Sequence, residues 1–415
     1  MDYEEQQRHR TAEVVLYWMR RRGLTRQVFA DRMGRSLSWV DKIRNGDRQL
    51  DRLSVLRQIA SVLDVSLATL IEPAQIDQAK RCPDDREVAA IRAALARYDV
   101  TTNIFRPNGD VLPEPNLATL ERLVRYGWMA FQAANYQAIG ELLPNLIRDA
   151  QASVWQLDGV PQTTARTWLA WTYQLTAATA FKLGDAQLGW MAADRSIQLA
   201  EQTEDPTLIG SAARRVAYAL IATGQSAQAV QLVRAAADRL SPHLTANDPA
   251  FVSCYGMLLL KGSIAAARLH QAAEVRDLQA EALTVAERLG VDRNENWTAF
   301  GATNVRVHKI AALADMQAGG LVIEAAQAIP SGDLLRLPRE RRASYLLDVT
   351  RGYLQWGKRD AAAVTLLDAD QLAPEEVRCR QLTRQILADL VRSYPRGLHP
   401  PTPLANIARA VGVAV

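Results

Sequence analysis

The feature that most constrains the fold is a long Ala- and Leu-rich region, from about Leu117 to Val391, that repeats one helical pattern. Six of its segments share the same order: a helix, a small or polar turn, and a second helix that opens with small residues. Their turns are FQAANYQAI (131–139), FKLGDAQLG (181–189), IATGQSAQAV (221–230), RLHQAAEV (268–275), MQAGGLVIEA (316–325) and LQWGKRDAAAV (354–364). The region shows no alternating pattern of Val, Ile or Thr that would indicate strands. The sequence therefore predicts an all-α fold.

The order of helix, small-residue turn and second helix in these segments resembles that of tetratricopeptide repeats, although the spacing differs. The positions taken as equivalent are Ala134, Gly184, Gly224, Gln271, Gly319 and Gly357, which lie 50, 40, 47, 48 and 38 residues apart. These steps are longer and less regular than the tetratricopeptide period of about 34 residues. Stacked helix pairs of this kind form an α-solenoid whose concave surface holds peptides or small molecules. A generic Ala-rich helical bundle is the alternative interpretation.

Residues 8–72 read as a separate run of five short helices. Thr25 is placed to cap the second helix, and Gly34 to end it at a positive φ. Ser36 is placed to cap a third helix, in which Val40 and Ile43 share one face. The fourth helix is predicted to bury Leu53, Leu56, Ile59, Ala60 and Leu63.

The same segment concentrates positive charge. Between Arg8 and Arg57 there are 13 Arg or Lys and five acids, a net charge of +8, whereas the whole chain carries +4. The remainder of the chain therefore sums to −4. A basic first domain on a mildly acidic body is typical of nucleic-acid contact, although a solvated Arg-rich surface gives the same count.

Two adjoining stretches make the resemblance to a family specific. LTRQVFADRMGRSLSWVDKIRNG, followed by LSVLRQIASVLDVSLATLI, resembles the Cro/C1-type (XRE) helix-turn-helix family over residues 12–71. The resemblance implies that residues 36–44 form a recognition helix in the major groove of double-stranded DNA. It also implies a homodimer on a near-palindromic operator, with half-sites about 34 Å apart.

The candidate DNA-binding residues lie on and around the third helix. They are Arg26, Arg35, Ser36, Leu37, Ser38, Trp39, Asp41, Lys42, Arg44, Asn45 and Arg48. Leu37 is apolar where the family often has a polar residue, and an apolar side chain can contact a thymine methyl group. Trp39 has two interpretations, bracing the DNA backbone or packing against the second helix, and we favour packing. The arginines suit bidentate contacts to phosphates or guanines.

Two further segments flank the repeats. Residues 73–116 form a predicted linker with one helix, in which Val88, Ile91, Leu95 and Tyr98 share a face. Residues 396–415 form a proline-broken and then apolar tail, which either docks on the last repeat or is disordered. The repeat domain is accordingly predicted to span residues 117–395.

The repeats contain a candidate effector site. NWTAFGATNVRVH (296–308), RRASYLLDVTRGYLQWG (341–357) and LAPEEVR (372–378) resemble two-domain regulators of high-GC bacteria. Asn304 and His308 lie four residues apart and would face one side of a helix, with Asp315 beyond them. The candidate effector-binding residues are Trp297, Asn304, His308, Arg341, Arg342 and Tyr345, with an arginine as a carboxylate anchor. Interhelix hydrogen bonding by Asn304 and His308 is the alternative.

Other function classes find little support in the sequence. The three cysteines and five histidines show no metal-ligand spacing, and no nucleophile, zinc-protease, P-loop or dinucleotide motif occurs, so we expect no enzyme, metal or cofactor. The odd, scattered cysteines predict reduced thiols in the cytoplasm. No membrane span is expected. The sequence therefore favours a DNA-binding transcriptional regulator. The alternative is a repeat-based interaction scaffold, or an antitoxin-like protein whose DNA-binding domain only regulates its own synthesis.

Overall fold

A computed structural model describes residues 3–45, 47–48, 50, 52–71, 82–96, 112–245, 248–395 and 398–415. The chain forms two compact units, Met1–Lys80 and Arg81–Val415. The regular structure of the described residues is helical throughout, without a strand. The expected all-α fold is confirmed.

The first unit contains the five predicted helices. They are α1 (Tyr3–Arg21), α2 (Arg26–Met33), α3 (Leu37–Arg44), α4 (Leu53–Leu63) and α5 (Leu67–Ile71). Trp18, Phe29, Ile43 and Leu63 are almost fully buried at its centre, one from each of the first four helices. One core residue was predicted wrongly, because Leu53 is 50% exposed. Leu53 is the first residue of α4, and its side chain lies outside the apolar face that Leu56 begins.

The second unit is built from α-helices, most of which follow one another after short turns in the described part of the chain. They are α6 (Asp85–Leu95), α7 (Leu117–Gln132), α8 (Tyr136–Gln156), α9 (Gly159–Leu183), α10 (Ala186–Thr203), α11 (Pro206–Ala222), α12 (Ser226–Leu240), α13 (Pro249–Arg268), α14 (Ala272–Leu289), α15 (Ala302–Asp315), α16 (Gly319–Gln327), α17 (Ser331–Leu334), α18 (Arg339–Gln355), α19 (Arg359–Leu372), α20 (Pro374–Arg378), α21 (Gln381–Arg392) and α22 (Thr402–Ala410). All six turns predicted from the sequence join two of these helices, as an α-solenoid of helix pairs requires.

Each of the six turns has one residue in the left-handed conformation. These residues are Ala134, Gly184, Gly224, His270, Gln317 and Gly357, with φ between 56° and 83°. In every turn the next N–H donates to the carbonyl five residues earlier, which closes the end of the first helix. The sequence alignment was wrong at two turns: the left-handed residues are His270 and Gln317 rather than Gln271 and Gly319. Gly319 instead begins α16, and glycine content alone does not locate the bend.

The central helix of the second unit is α13. Among the described helices it is the one long and apolar enough to cross a membrane, but 89% of its most apolar window is buried in the unit. Gly256 allows a close approach here, because a Cβ at this position would lie 1.9 Å from Cζ of the buried Phe300. These features are typical of the core helix of a globular unit.

Helix α6 belongs to the second unit and packs on α8. The side chains of Asp84 and Glu87 cap its N-terminus reciprocally, and Ile91 and Leu95 are buried in the core that α6 shares with the first repeats. Tyr98, which was predicted to share this face, lies outside the described residues. The predicted helix in the segment between the two domains thus packs on the repeats.

A disulfide bond joins Cys82, just before α6, to Cys379, just after α20. The expectation that all three cysteines are reduced is therefore wrong, and the inference of a reducing compartment from them loses its basis. The two cysteines are 297 residues apart in sequence, but folding brings their Cα atoms to 5.7 Å, within the usual range for a disulfide. Cys254 is free and buried.

Removal of this disulfide is expected to destabilise the second unit. Cys379→Ser should lower the free energy of unfolding by about 2 kcal/mol, at the low end of the usual effect, because the packing of α6 on α8 already restrains the loop. Urea unfolding of the parent with and without dithiothreitol, and of the variant, measures the difference. An effect of dithiothreitol on the variant as large as that on the parent would contradict this assignment.

The tail, left open between docking and disorder by the sequence, contains α22. Leu404, Ile407 and Ala408 on this helix are buried in a core formed with α18, α19 and α21. The tail therefore closes the last helix pair, as a terminal cap of a repeat array does.

Candidate functional site

The turn between α2 and α3 is fixed by its caps. The side chain of Thr25 accepts a hydrogen bond from the N–H of Val28, and that of Ser36 accepts one from the N–H of Trp39. Gly34 ends α2 with a φ of 61°. These contacts confirm the predicted caps, and they set the direction in which α3 leaves the turn.

One face of α3 is anchored and the opposite face is exposed. Val40 and Ile43 are buried in the core, whereas Ser38 and Lys42 lie four residues apart on the solvent side. Nine of the predicted DNA-binding residues are exposed: Arg26, Arg35, Ser36, Leu37, Ser38, Lys42, Arg44, Asn45 and Arg48. Asp41 is half-buried. The unit therefore presents a polar, basic ridge held rigidly on an apolar base.

Trp39 packs in the core rather than facing solvent. Its side chain is 6% exposed, and its ring centroid lies 6.5 Å from that of Phe29. The guanidinium of Arg48 lies 5.6 Å from the Trp39 ring centroid. This cation–π contact holds Arg48 beside the C-terminal end of α3.

Asp41 is the acidic residue on the ridge. Its carboxylate accepts a hydrogen bond from Arg26 at 2.5 Å and lies 3.6 Å from the guanidinium of Arg44. Arg26, at the start of α2, is thereby oriented along α3. Because these pairs are exposed, they fix geometry more than they add stability.

The second unit encloses a cavity of about 420 Å³. Charged side chains dominate its walls. Eight are cationic (Lys182, Arg214, Arg215, Lys261, Arg268, Arg341, Arg351 and Arg380) and three are carboxylates (Asp315, Glu340 and Asp348). An aromatic wall adds Trp128, Phe131, Phe181, Tyr218 and Trp297. The cavity is therefore a strongly cationic space with one apolar side.

Five of these cations belong to ion pairs. Lys182 contacts the carboxylates of Glu340 and Glu376, Arg380 lies 3.0 Å from Glu376, and Arg341 lies 3.8 Å from Glu340. The hydroxyl of Tyr136 donates to Glu376 as well. Burial raises the pKa of Glu340, but the attraction of Lys182 and Arg341 outweighs it and lowers that pKa to about 2. The carboxylate of Glu340 is therefore charged at neutral pH.

The other two paired cations are Arg268 and Arg351. Both contact Asp315, at 3.3 Å and 2.6 Å, and Arg351 also contacts Asp348 at 3.1 Å. These pairs neutralise the part of the wall at the C-terminal end of α15.

Arg214, Arg215 and Lys261 form no ion pair within the described part of the chain. Arg214 is only 5% exposed, and neither its Nε nor that of Arg215 has a hydrogen-bond partner. The nearest compensation is aromatic: Arg215 lies over Trp128 at 5.1 Å, and Lys261 over Tyr218 at 4.4 Å. Burial, followed by mutual repulsion with neighbouring arginines, lowers the pKa of Lys261 well below its ordinary value.

The aromatic wall rests on a strained loop. Asn296, Trp297 and Ala299 all have φ values of 47° to 55°, which non-glycine residues rarely adopt. The loop is held by paired amide hydrogen bonds between Gln132 and Asn294, at 2.8 and 2.9 Å. As a result the indole of Trp297 stacks on that of Trp128, with centroids 5.4 Å apart.

His308 joins the loop side of the cavity to its cationic side. Its Nδ1 lies 2.9 Å from the carbonyl oxygen of Asn304, and its Nε2 lies 3.3 Å from the guanidinium of Arg341. A neutral imidazole that donates from Nδ1 and accepts at Nε2 satisfies both contacts. Burial, and then repulsion by Arg341 and Lys261, lowers the pKa of His308 well below its ordinary value, which agrees with this neutral form.

Comparison with known proteins concerns the first unit most directly. The protein-family model described as "Helix-turn-helix domain" matches residues 16–72. The amino-terminal unit contains a helix-turn-helix domain. In the helix-turn-helix motif the second helix is the one that reads the major groove, and α3 occupies the position of that helix.

Beyond the helix-turn-helix domain, the chain has only a low similarity to a solved structure. A crystal structure of Bacillus thuringiensis PlcR in complex with the peptide PapR7 and DNA is similar over 68% of this chain and 96% of that chain, at 14% identity and a TM-score of 0.30. A TM-score this low supports no inference about function. Curated proteins provide no match.

The structure brings together half of the predicted effector residues. Trp297, His308 and Arg341 line the cavity, whereas Arg342 and Tyr345 do not. Asn304 is fully buried, and its amide donates to the sulfur of Met257 on α13 and to the Thr298 carbonyl oxygen, both at 3.4 Å. Asn304 thus makes the interhelix contacts that were the alternative interpretation, and it positions His308 and the loop.

The most informative cavity residues were missed in the sequence. Arg214 and Arg215 lie within α11, and Lys261 interrupts the apolar run of α13. A lysine in FVSCYGMLLLKGSIAAA was a usable signal, because a charge inside a buried helix needs a partner or a function. The ion-pair partners of the other cavity cations could not be recognised in the sequence, because they come from helices up to 194 residues away, as for Lys182 and Glu376.

Titration of His308 is expected to destabilise the second unit in acid. In the unfolded chain His308 takes up a proton near pH 6.5, but its folded pKa is lower, so stability is lost as the pH falls below about 6.5. The loss reaches at most about 1.4 kcal/mol per pH unit. Urea unfolding at pH 7 and pH 5 measures it, and His308→Gln should show a smaller loss. His243→Gln, at an exposed histidine, is the control. Equal pH dependence in His308→Gln and the parent would contradict the buried neutral form.

Proposed function

We propose that this protein is a transcriptional regulator that binds double-stranded DNA through α3 and senses an effector in the cavity of its second unit. The exposed ridge of α3 carries the proposal for DNA. Ser38 and Lys42 stand free on a helix whose opposite face is anchored, and arginines surround it at positions 26, 35, 44 and 48. The base edges of a major groove and its flanking phosphates match this arrangement.

The finer assignments follow the resemblance to the XRE class of helix-turn-helix domain. We propose residues 8–72 as the DNA-binding domain, 73–116 as the segment joining it to the tetratricopeptide-like repeats of residues 117–395, and a cytoplasmic location, where the DNA is. The operator is proposed to be palindromic and bound by a homodimer, because a single module of this size covers too short a site for specificity. No catalytic role is proposed.

Effector binding is proposed for the cavity rather than for the outer surface of the repeats. The cavity combines unpaired cations with a strained aromatic loop. Both features lower the stability of the ligand-free protein, and a bound ligand would offset that loss. Trp297, His308 and Arg341 are proposed to contact the effector, with Asn304 as the residue that positions them.

Selection of bound fragments from a random duplex library by the intact protein tests the proposal. A two-fold symmetric consensus with half-sites about 34 Å apart is expected, and it would establish DNA reading and dimerisation together. Enrichment of a single asymmetric half-site would overturn the dimer, and the absence of any enrichment would overturn the proposal itself. Co-purification of a stoichiometric polypeptide in that case would favour the scaffold alternative.

A further inference from the structure

We infer that the cavity of the second unit is a binding site for a small oxyanion with at least two negative charges, carried as phosphate or carboxylate groups. The inference rests on the proposed effector role and gives the ligand a chemical class. It concerns the patch formed by Arg214, Arg215 and Lys261, three cations on the wall of one partly open cavity that have no carboxylate partner among the residues that the structure describes.

The charge of this patch is the first argument. The three carboxylates on the wall are already engaged by other cations: Glu340 by Lys182, Asp315 by Arg268 and Arg351, and Asp348 by Arg351. Arg214, Arg215 and Lys261 therefore share this space with one another and with the rings of Trp128 and Tyr218, and burial, followed by repulsion from neighbouring cations, lowers their pKa values. An isolated buried charge is expensive, and cations gathered without acids repel one another as well. A multiply charged anion removes both costs at once, whereas a single carboxylate would leave most of the charge unbalanced.

The donors of the patch also fit an oxyanion. Both arginines line the cavity, and the buried Nε of each has no hydrogen-bond partner among the described residues, so neither guanidinium is fully satisfied by the protein. Guanidinium groups bind phosphate and carboxylate oxygens through parallel hydrogen bonds, and a lysine adds a point charge. Arg341, whose guanidinium lies 3.3 Å from Nε2 of His308 and 3.8 Å from the carboxylate of Glu340, adds a further guanidinium to the wall.

The size and the walls of the cavity limit the ligand. A volume of about 420 Å³ lies in the range of small-molecule sites and is small for an extended peptide of many residues. Trp297 and Phe181, which also line the cavity, offer an apolar surface for the uncharged part of the ligand. The site therefore favours a compact metabolite over a peptide.

The stability of one variant distinguishes a ligand-binding role of this patch from a structural role. If the cations await a ligand, Lys261→Met should leave the ligand-free protein as stable as the parent or raise its melting temperature by about 2–4 °C, because a buried unpaired charge is replaced by an apolar side chain of similar length. If Lys261 supports the fold, the same variant should melt lower. Lys309→Met, at an exposed lysine of α15, is the matched control and should change neither stability nor anion binding.

The experiment titrates the intact protein with sodium pyrophosphate and, separately, with citrate by calorimetry and thermal melting, at an ionic strength held constant with NaCl. We expect one of them to bind with one equivalent per chain, to raise the melting temperature, and to bind Lys261→Met or Arg215→Gln at least tenfold more weakly. Binding of pyrophosphate alone indicates a phosphate ligand, and binding of citrate alone a carboxylate ligand.

Two results would overturn the anion site: neither anion stabilises the parent, or Lys261→Met binds as the parent does and melts lower. The proposed effector role is tested separately, by the affinity for a selected duplex with and without the anion. Stoichiometric anion binding without any effect on DNA affinity would leave the anion site in place and remove the effector role.

Discussion

Charge reversal at Lys42 is expected to weaken the binding of a selected DNA duplex by about 100-fold or more. Lys42 is exposed on the outward face of α3, so Lys42→Glu should not disturb the core formed by Val40 and Ile43. The substitution removes a donor and places a negative charge against the phosphates, and a loss of about 3 kcal/mol is the scale of one specific contact plus repulsion. Fluorescence anisotropy at fixed salt measures the change.

The matched control is Lys309→Glu, at an exposed lysine in the second unit, which changes the net charge by the same amount. It should lower DNA affinity less than threefold, and both variants should melt as the parent does. Equal losses in the two variants would show that only overall charge matters, and they would remove α3 from the role of recognition helix.

Truncation of Glu376 is expected to cause the largest loss of stability. Its side chain is fully buried, and it accepts contacts from Lys182, Arg380 and the hydroxyl of Tyr136. Glu376→Ala leaves these donors with too few acceptors inside the unit. Removal of one member of a buried ionic network usually costs about 3–5 kcal/mol, because the remaining charges stay buried. Urea unfolding followed by tryptophan fluorescence measures this loss, since seven of the nine tryptophans lie in the second unit.

Two variants make the interpretation specific. Glu376→Gln preserves the shape and one acceptor, and should cost less than Glu376→Ala. Asp389→Ala removes an exposed carboxylate that pairs with Arg392, and should cost less than about 0.5 kcal/mol. A loss for Glu376→Ala no larger than that for Asp389→Ala would mean that the network adds little to stability.

The sequence predicted those features of the fold that depend on local patterns. Caps and a positive-φ glycine are local, so Thr25, Gly34 and Ser36 could be assigned before any coordinates. The same holds for the helix pairs, whose turns were located within a few residues. The exact bend could not be located at His270 or Gln317, because the hydrogen bonds that close a helix stabilise the left-handed conformation in residues other than glycine.

Features that depend on distant contacts could not be predicted. The pairing of Cys82 with Cys379 requires the fold to bring together two residues that are 297 positions apart in the sequence. The cationic cavity likewise draws Lys182, Arg214 and Lys261 from three helices, none of which shows a ligand-binding motif by itself. Trp297, His308 and Arg341 were found because residue type and helical spacing are local signals, but the charge that surrounds them is a tertiary property.

Competition binding at low ionic strength tests directly whether the protein reads the sequence of duplex DNA. The intact protein is titrated onto a labelled duplex from the selection in the presence of excess random duplex, and the titration is repeated from 50 to 200 mM salt. We expect the selected duplex to outcompete random DNA by at least about 1,000-fold, and the affinity to fall steeply with salt as phosphate contacts release counterions. Equal affinity for the two duplexes, or affinity insensitive to salt, would contradict this expectation.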